Sequence, residues 1–264
     1  MKILFLGEII GRTGRQIVKK VLPEIKKKYK VDLCLANGET ITHGKGVSRE
    51  KVEEIVTCGV DFLTSGNHVF RYSNFLEDLD DPALPILRPA NYVSSLPGRG
   101  CEILDLGRKG RVLLINLQGR VFMPHQIESP FEAADRILTQ NSQEKLAAAI
   151  VDFHAEATSE KQSLGYFLDG KVSAVFGTHT HVATADQRIL PQKTAYVSDI
   201  GMIGSLNSIL GGEITTIVSQ QQKGMLGDFE VASDPPFLFN SVLIEINKGK
   251  AETIERIDRI VKSL

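Results

Sequence analysis

The chain has 264 residues, 42% of them hydrophobic and 24% charged, a composition that buries a core and is not that of a disordered segment. A net charge of −1 argues against a general nucleic-acid binder but does not exclude a nucleotide substrate. Cys34, Cys58 and Cys101 are far apart and form no C-x-x-C pair, so the expectation is a reducing, cytoplasmic compartment rather than a disulfide framework.

Ile3 to Leu6 reads as a buried strand, too short for a signal-peptide core. Ile17, Val18, Val21, Leu22 and Ile25 follow at helical spacing, and Pro23 predicts a kink or a break just before it. Val31 to Ala36 is a second strand. Ser48 reads as the N-cap of a helix carrying Val52, Ile55 and Val56, and Val60 to Thr64 as a third strand. This order predicts parallel strands with right-handed crossovers.

Prolines at 82, 85, 89 and 97 mark a loop-rich stretch, and Cys101 to Leu106 with Arg111 to Leu117 predict a hairpin around Lys109-Gly110. Further on, strands are expected at Ile150 to Phe153, Ser173 to Phe176, Thr194 to Ser198, Ser241 to Ile246 and Thr253 to Ile257, and a helix at Ser159 to Leu168. No repeat, linker or apolar run of membrane-spanning length interrupts the chain, so residues 1–264 are read as a single α/β domain.

The polar residues cluster where these strands end. Gly7-Glu8, Asn37-Gly38-Glu39-Thr40, Gly66-Asn67-His68, Asp152-Phe153-His154-Ala155-Glu156 and Gly177-Thr178-His179-Thr180-His181 each follow an apolar run. Ligand sites of parallel α/β sheets gather at the carboxyl ends of strands, so the five clusters are expected to converge. Four of the six histidines lie in them, and on extended backbone His179 and His181 would leave on the same side. A single strand-end histidine is ordinarily structural. It is the joint pattern of imidazoles beside carboxylates that points to a transition metal such as Zn, Fe, Ni or Mn.

The strings Asn37-Gly38-Glu39, Gly66-Asn67-His68, Asp152 to Lys161 and Gly177 to Val182, with Asn116 to Arg120 and Thr184 to Gly204, resemble the YmdB-like metallophosphoesterases over nearly the whole chain. The resemblance implies a four-layer α/β/β/α sandwich, two metal ions, iron or manganese before zinc or nickel, and hydrolysis of cyclic nucleotides such as 2′,3′-cyclic AMP. It implies that Glu39 bridges the metals. Asn67, His154 and His179 would complete one site, and Glu8, Thr40 and His181 the other, with His68 acting on the substrate phosphate. The family pattern has Asp and Asn where this chain has Glu8 and Thr40, so the second site is expected to bind its ion less firmly.

Those two departures also support a rival, a weakened regulator that keeps the fold and binds a nucleotide or a protein. A dinucleotide-binding oxidoreductase is not supported, because Gly7, Gly11 and Gly14 are not spaced as G-x-G-x-x-G. The lysines from Lys19 to Lys30 read as the solvated face of a helix rather than a nucleic-acid contact, and His43 is either a pocket or a loop residue. The expected partner is a small-molecule phosphodiester. No membrane partner is expected, and a homo-oligomer is left open.

Overall fold

The computed structural model describes residues 1–225 and 227–264. Among them the chain begins β1 (Lys2–Leu6), β2 (Glu8–Ile9), α1 (Gly11–Tyr29), β3 (Leu33–Asn37), α2 (Arg49–Thr57), β4 (Phe62–Thr64) and α3 (Leu76–Leu79). The middle comprises β5 (Cys101–Asp105), β6 (Arg111–Gln118), α4 (Pro130–Gln140), β7 (Leu146–His154), α5 (Thr158–Phe167) and β8 (Ala174–Thr178). It closes with β9 (Arg188–Ile189), β10 (Ala195–Val197), β11 (Met202–Ser205), α6 (Ile214–Lys223), β12 (Phe237–Phe239), β13 (Ser241–Asn247), β14 (Lys250–Arg256) and β15 (Arg259–Val261).

Two sheets, β14-β13-β1-β3-β4 and β5-β6-β7-β8-β10-β9, stack face to face. Alternation along each strand divides the apolar residues between layers. Ile3 and Phe5 of β1 pack with Val112, Leu114, Ile150 and Phe176 of the facing sheet. Leu4 and Leu6 turn the other way, onto Ile17, Val18 and Leu22 of α1 and Ile55 of α2. On the far side Leu113, Ile115 and Phe153 receive Ala133 and Ile137 of α4 and Leu164 of α5. The result is the α/β/β/α sandwich. As expected, β1, β3 and β4 are parallel, and β5 and β6 form the antiparallel hairpin. A third, smaller sheet, β15-β12-β11-β2, carries Glu8 at its edge and was not anticipated. Neither was the helix α4.

Two local expectations are met in part. The break expected just before Pro23 is absent, since α1 runs from Gly11 to Tyr29. Pro23 stands on the exposed face, where the carbonyl that loses its partner is open to solvent, while buried Leu22 and Ile25 hold the helix on both sides. Ser48 does sit at the N-cap of α2, but its hydroxyl makes no capping bond and instead pairs with Thr42 Oγ1 at 3.1 Å. The lysine-rich α1 turns Lys19, Lys20, Lys27 and Lys28 to solvent, as the sequence implied. No helix among the described residues is long and apolar enough to cross a membrane.

Candidate metal centre

The carboxyl ends of β3 and β4 in one sheet and of β7 and β8 in the other meet across the sandwich, bolted by a fully buried polar network. Asp152 accepts Asn37 Nδ2 at 2.9 Å, Thr178 Oγ1 at 2.8 Å and the Thr64 hydroxyl. Burial pushes the Asp152 carboxyl up to about 6. Thr178 has one hydroxyl proton and gives it to Asp152. It must therefore accept from His154 Nδ1, 3.0 Å away, which leaves His154 Nε2 to face the cluster.

Around that nitrogen the acceptors crowd. Glu39 Oε2 lies 3.2 Å from His154 Nε2, and His179 Nδ1 lies 3.0 Å from it. The other Glu39 oxygen takes the His68 backbone N–H at 3.1 Å and sits 2.8 Å from His68 Nδ1, at ion-pair distance but out of hydrogen-bond alignment. Glu8 reaches in despite its extra methylene. Its Oε1 is 3.1 Å from His181 Nε2, and its Oε2 accepts the His179 backbone N–H at 3.1 Å. Glu8, Glu39 and His154 each present a ligand atom, all within 4.8 Å of one another.

This set fits a cation. Glu39 Oε2 and Asn67 Oδ1 are buried acceptors with no hydrogen-bond donor, a costly condition unless positive charge answers it. The titration of the protein alone reflects the same demand. Burial opposes charge on His154 and His181, yet Glu39 and Glu8 beside them push both up to about 9. Burial and the neighbouring His154 push His179 down to about 4. Burial would raise Glu39 and Glu8, but the adjacent imidazoles hold both below the usual carboxylate range. The mixture of carboxylate, amide and imidazole donors suits a first-row transition metal.

The predicted residues meet in part. Glu8, Glu39, His154, His179 and His181 converge. His68 and Thr40 line the same cleft, and the Thr40 hydroxyl donates to the Ile9 carbonyl at 3.0 Å. Asn67 follows Gly66, where an added methyl would overlap Glu39 Oε2 and the His154 ring. Gly66→Ala is thus expected to keep the far-UV spectrum while lowering bound metal, and to reduce turnover on the order of a hundredfold, since misplacing reactive groups by about 1 Å costs that much. Elemental analysis beside a kinetic assay checks it.

The histidine pair does not lie on extended backbone as expected. Its residues take positive φ, 103° at His179 and 62° at His181, in a turn just after β8. Such backbone is strained and persists only where its surroundings hold it. Asp199 does so, taking Thr180 N at 3.0 Å and Thr180 Oγ1 at 2.8 Å, and is itself paired with buried Lys161 at 2.8 Å. Sequence reasoning passed over Asp199, although it directly follows the strand predicted at Thr194 to Ser198 and the strand-end rule applied to it. It also left Thr178, Asp152 and Glu156 without roles; Glu156 Oε2 is 3.1 Å from His179 Nε2. Lys45, Leu210 and Phe229, which also line the cleft, carried no sequence signal as site residues. Larger cavities of about 430 and 560 Å³ flank α4, but the ligand group lies at neither.

The profile of YmdB-like proteins matches residues 4–257. The chain is 40% identical over 259 residues to a 2′,3′-cyclic-nucleotide 2′-phosphodiesterase of Bacillus subtilis, covering 97% of this chain and 96% of that protein. Among solved structures, a hypothetical protein from Thermus thermophilus superposes with a TM-score of 0.91 at 36% identity, covering 99% of this chain and 100% of that one. A novel phosphatase of Mycoplasma pneumoniae superposes equally well, with a TM-score of 0.91 at 33% identity and coverage of 100% and 94%.

Proposed function

Because the chain belongs to the family of YmdB-like proteins, we propose that this phosphoesterase is a metal-dependent phosphodiesterase acting on cyclic nucleotides, the 2′,3′-cyclic first and the 3′,5′-cyclic second. The observation that carries the reading is the buried meeting of Glu8, Glu39 and His154 ligand atoms within 4.8 Å of one another, with His179 Nδ1 3.0 Å from His154 Nε2 and Glu39 Oε2 left without a donor. The Bacillus subtilis relative, matched end to end, supplies the substrate class.

In this reading Asn67, His154 and His179 would hold one ion and Glu8, Thr40 and His181 the other, with Glu39 contributing to both. Iron or manganese suits these donors best, with zinc or nickel next. When bound, the pair of ions lowers the pKa of a water and offsets the charge of the phosphoryl oxygens. The protein's own groups do the rest. The Asp152–Thr178 network fixes the His154 tautomer, so that Nε2 is the nitrogen left free to serve as a ligand. Glu156 orients the outer nitrogen of His179. His68, 39% exposed where its partner Glu39 is 1% exposed, donates to the phosphate and passes a proton to the departing ribose oxygen. We read residues 1–264 as one domain and the setting as cytoplasmic, in keeping with three free cysteines.

The test is metal removal. Chelated, dialysed protein should not hydrolyse 2′,3′-cyclic AMP, and Mn²⁺ should restore turnover, with one ion binding tightly and a second at least tenfold more weakly. The double variant Glu8→Asp, Thr40→Asn should narrow that gap. Undiminished hydrolysis by metal-free protein would refute the metal role. Tight nucleotide binding without hydrolysis at saturating metal would instead establish the regulator.

A further inference from the structure

The cleft has a flank that the metal chemistry does not use. Its volume is about 290 Å³, near the lower bound for small-molecule sites, and Leu210 and Phe229 line it together with Glu8, Glu39, His68 and the histidine turn. Leu210 leaves 45% of its surface exposed, at a φ of 53°. Its carbonyl accepts His181 Nδ1 at 2.9 Å, so one residue both sets the His181 tautomer and offers an apolar side chain beside it.

Phe229 is seated between two glycines. A Cβ at Gly44 would come within 2.7 Å of its Cε1, and one at Gly212 within 2.8 Å of its Cε2. Any side chain at either position would displace the ring. Lys45, which also lines the cleft, holds its ammonium 5.6 Å from the ring centroid. The segment is tied to the body of the protein. Glu213 N bonds Glu230 O at 3.0 Å, Ala232 N bonds Gly211 O at 2.9 Å, and Thr13 Oγ1 on α1 bonds Ala232 O at 3.1 Å.

A hydrolase needing only a phosphodiester would have no use for an anchored aromatic and aliphatic wall beside its charged centre. We infer that Phe229 and Leu210 form the nucleobase platform of this cleft, with Lys45 as its polar rim, and that they select nucleoside phosphodiesters over base-free ones. Aromatic rings take bases by stacking largely without regard to sequence, so the platform tolerates several bases. The inference rests on the cyclic-nucleotide reading above.

The experiment compares 2′,3′-cyclic AMP with glycerol 1,2-cyclic phosphate, which has the same reacting group and no base. Phe229→Ala should lower the ratio of their kcat/KM values about tenfold, mostly through KM for the nucleotide, and Phe229→Tyr should restore it; Leu210→Ala should act in the same direction. Calorimetry with adenosine, which has the base and no phosphate, separates this platform from the activity. Binding to the wild type that weakens about tenfold in Phe229→Ala supports the platform, even if neither phosphodiester is hydrolysed and the activity reading fails. An unchanged substrate ratio together with unchanged adenosine affinity overturns it, as does wild-type protein that binds no adenosine.

Discussion

Glu39→Gln is expected to lower metal-dependent turnover of 2′,3′-cyclic AMP by on the order of a thousandfold, the scale reached when one electrostatic stabiliser of a transition state is removed. Glutamine keeps the volume of a side chain that is 1% exposed, so packing survives while the charge goes. Oε2, 3.2 Å from His154 Nε2 with no donor bonded to it, is where the loss falls. A neutral amide there binds an ion weakly or sets its own N–H against the imidazole. Oε1, which takes the His68 N–H at 3.1 Å, holds the Asn67–His68 loop against the cluster, so the same change loosens His68. Elemental analysis of the purified variant, with kcat on added Mn²⁺, is the measurement. Full metal content and turnover within tenfold of wild type would remove Glu39 from the centre and the proposed function with it.

Lys161→Met is expected to lower the unfolding free energy by about 3–5 kcal/mol, the range for removing one partner of a buried ion pair. Both side chains are 1% exposed, and Nζ lies 2.8 Å from Asp199 Oδ2. That oxygen also receives both Thr180 donors, and Oδ1 receives Gly201 N at 2.8 Å. The carboxylate is thus a hub that loses its paired cation while staying buried. Combining Lys161→Met with Asp199→Asn should cost less than Lys161→Met alone, because no unpaired charge then remains inside. Since Asp199 steadies the turn bearing His179 and His181, Lys161→Met should also weaken metal binding although it touches no metal donor. Urea unfolding and metal titration of both variants test this. A loss below about 1 kcal/mol for Lys161→Met, or additive losses in the double variant, would show that the pair does not hold the turn.

The two effects differ in how visible they are in the chain itself. Glu39, His154 and His179 were legible because each follows an apolar run at the carboxyl end of a strand, where the backbone leaves the sheet and its polar side chains have room to meet. Lys161 and Asp199 sit 38 residues apart, and nothing local marks them as partners. The same holds for Asn37 and Asp152, separated by 115 positions and joined at 2.9 Å.

By itself the sequence determined the α/β character, the parallel strands β1, β3 and β4, the hairpin of β5 with β6, and the polar clusters at the strand ends, since periodicity and strand-end position are local properties. Two facing sheets were implied by the family resemblance alone and not by periodicity, whereas the reach of Glu8 into the cluster was decided by the tertiary structure. It alone set His179 and His181 at positive φ and placed Phe229 between Gly44 and Gly212. Those outcomes depend on contacts between segments remote in the chain, where buried charges and unpaired acceptors must find partners and the backbone yields, by a strained turn, to let them.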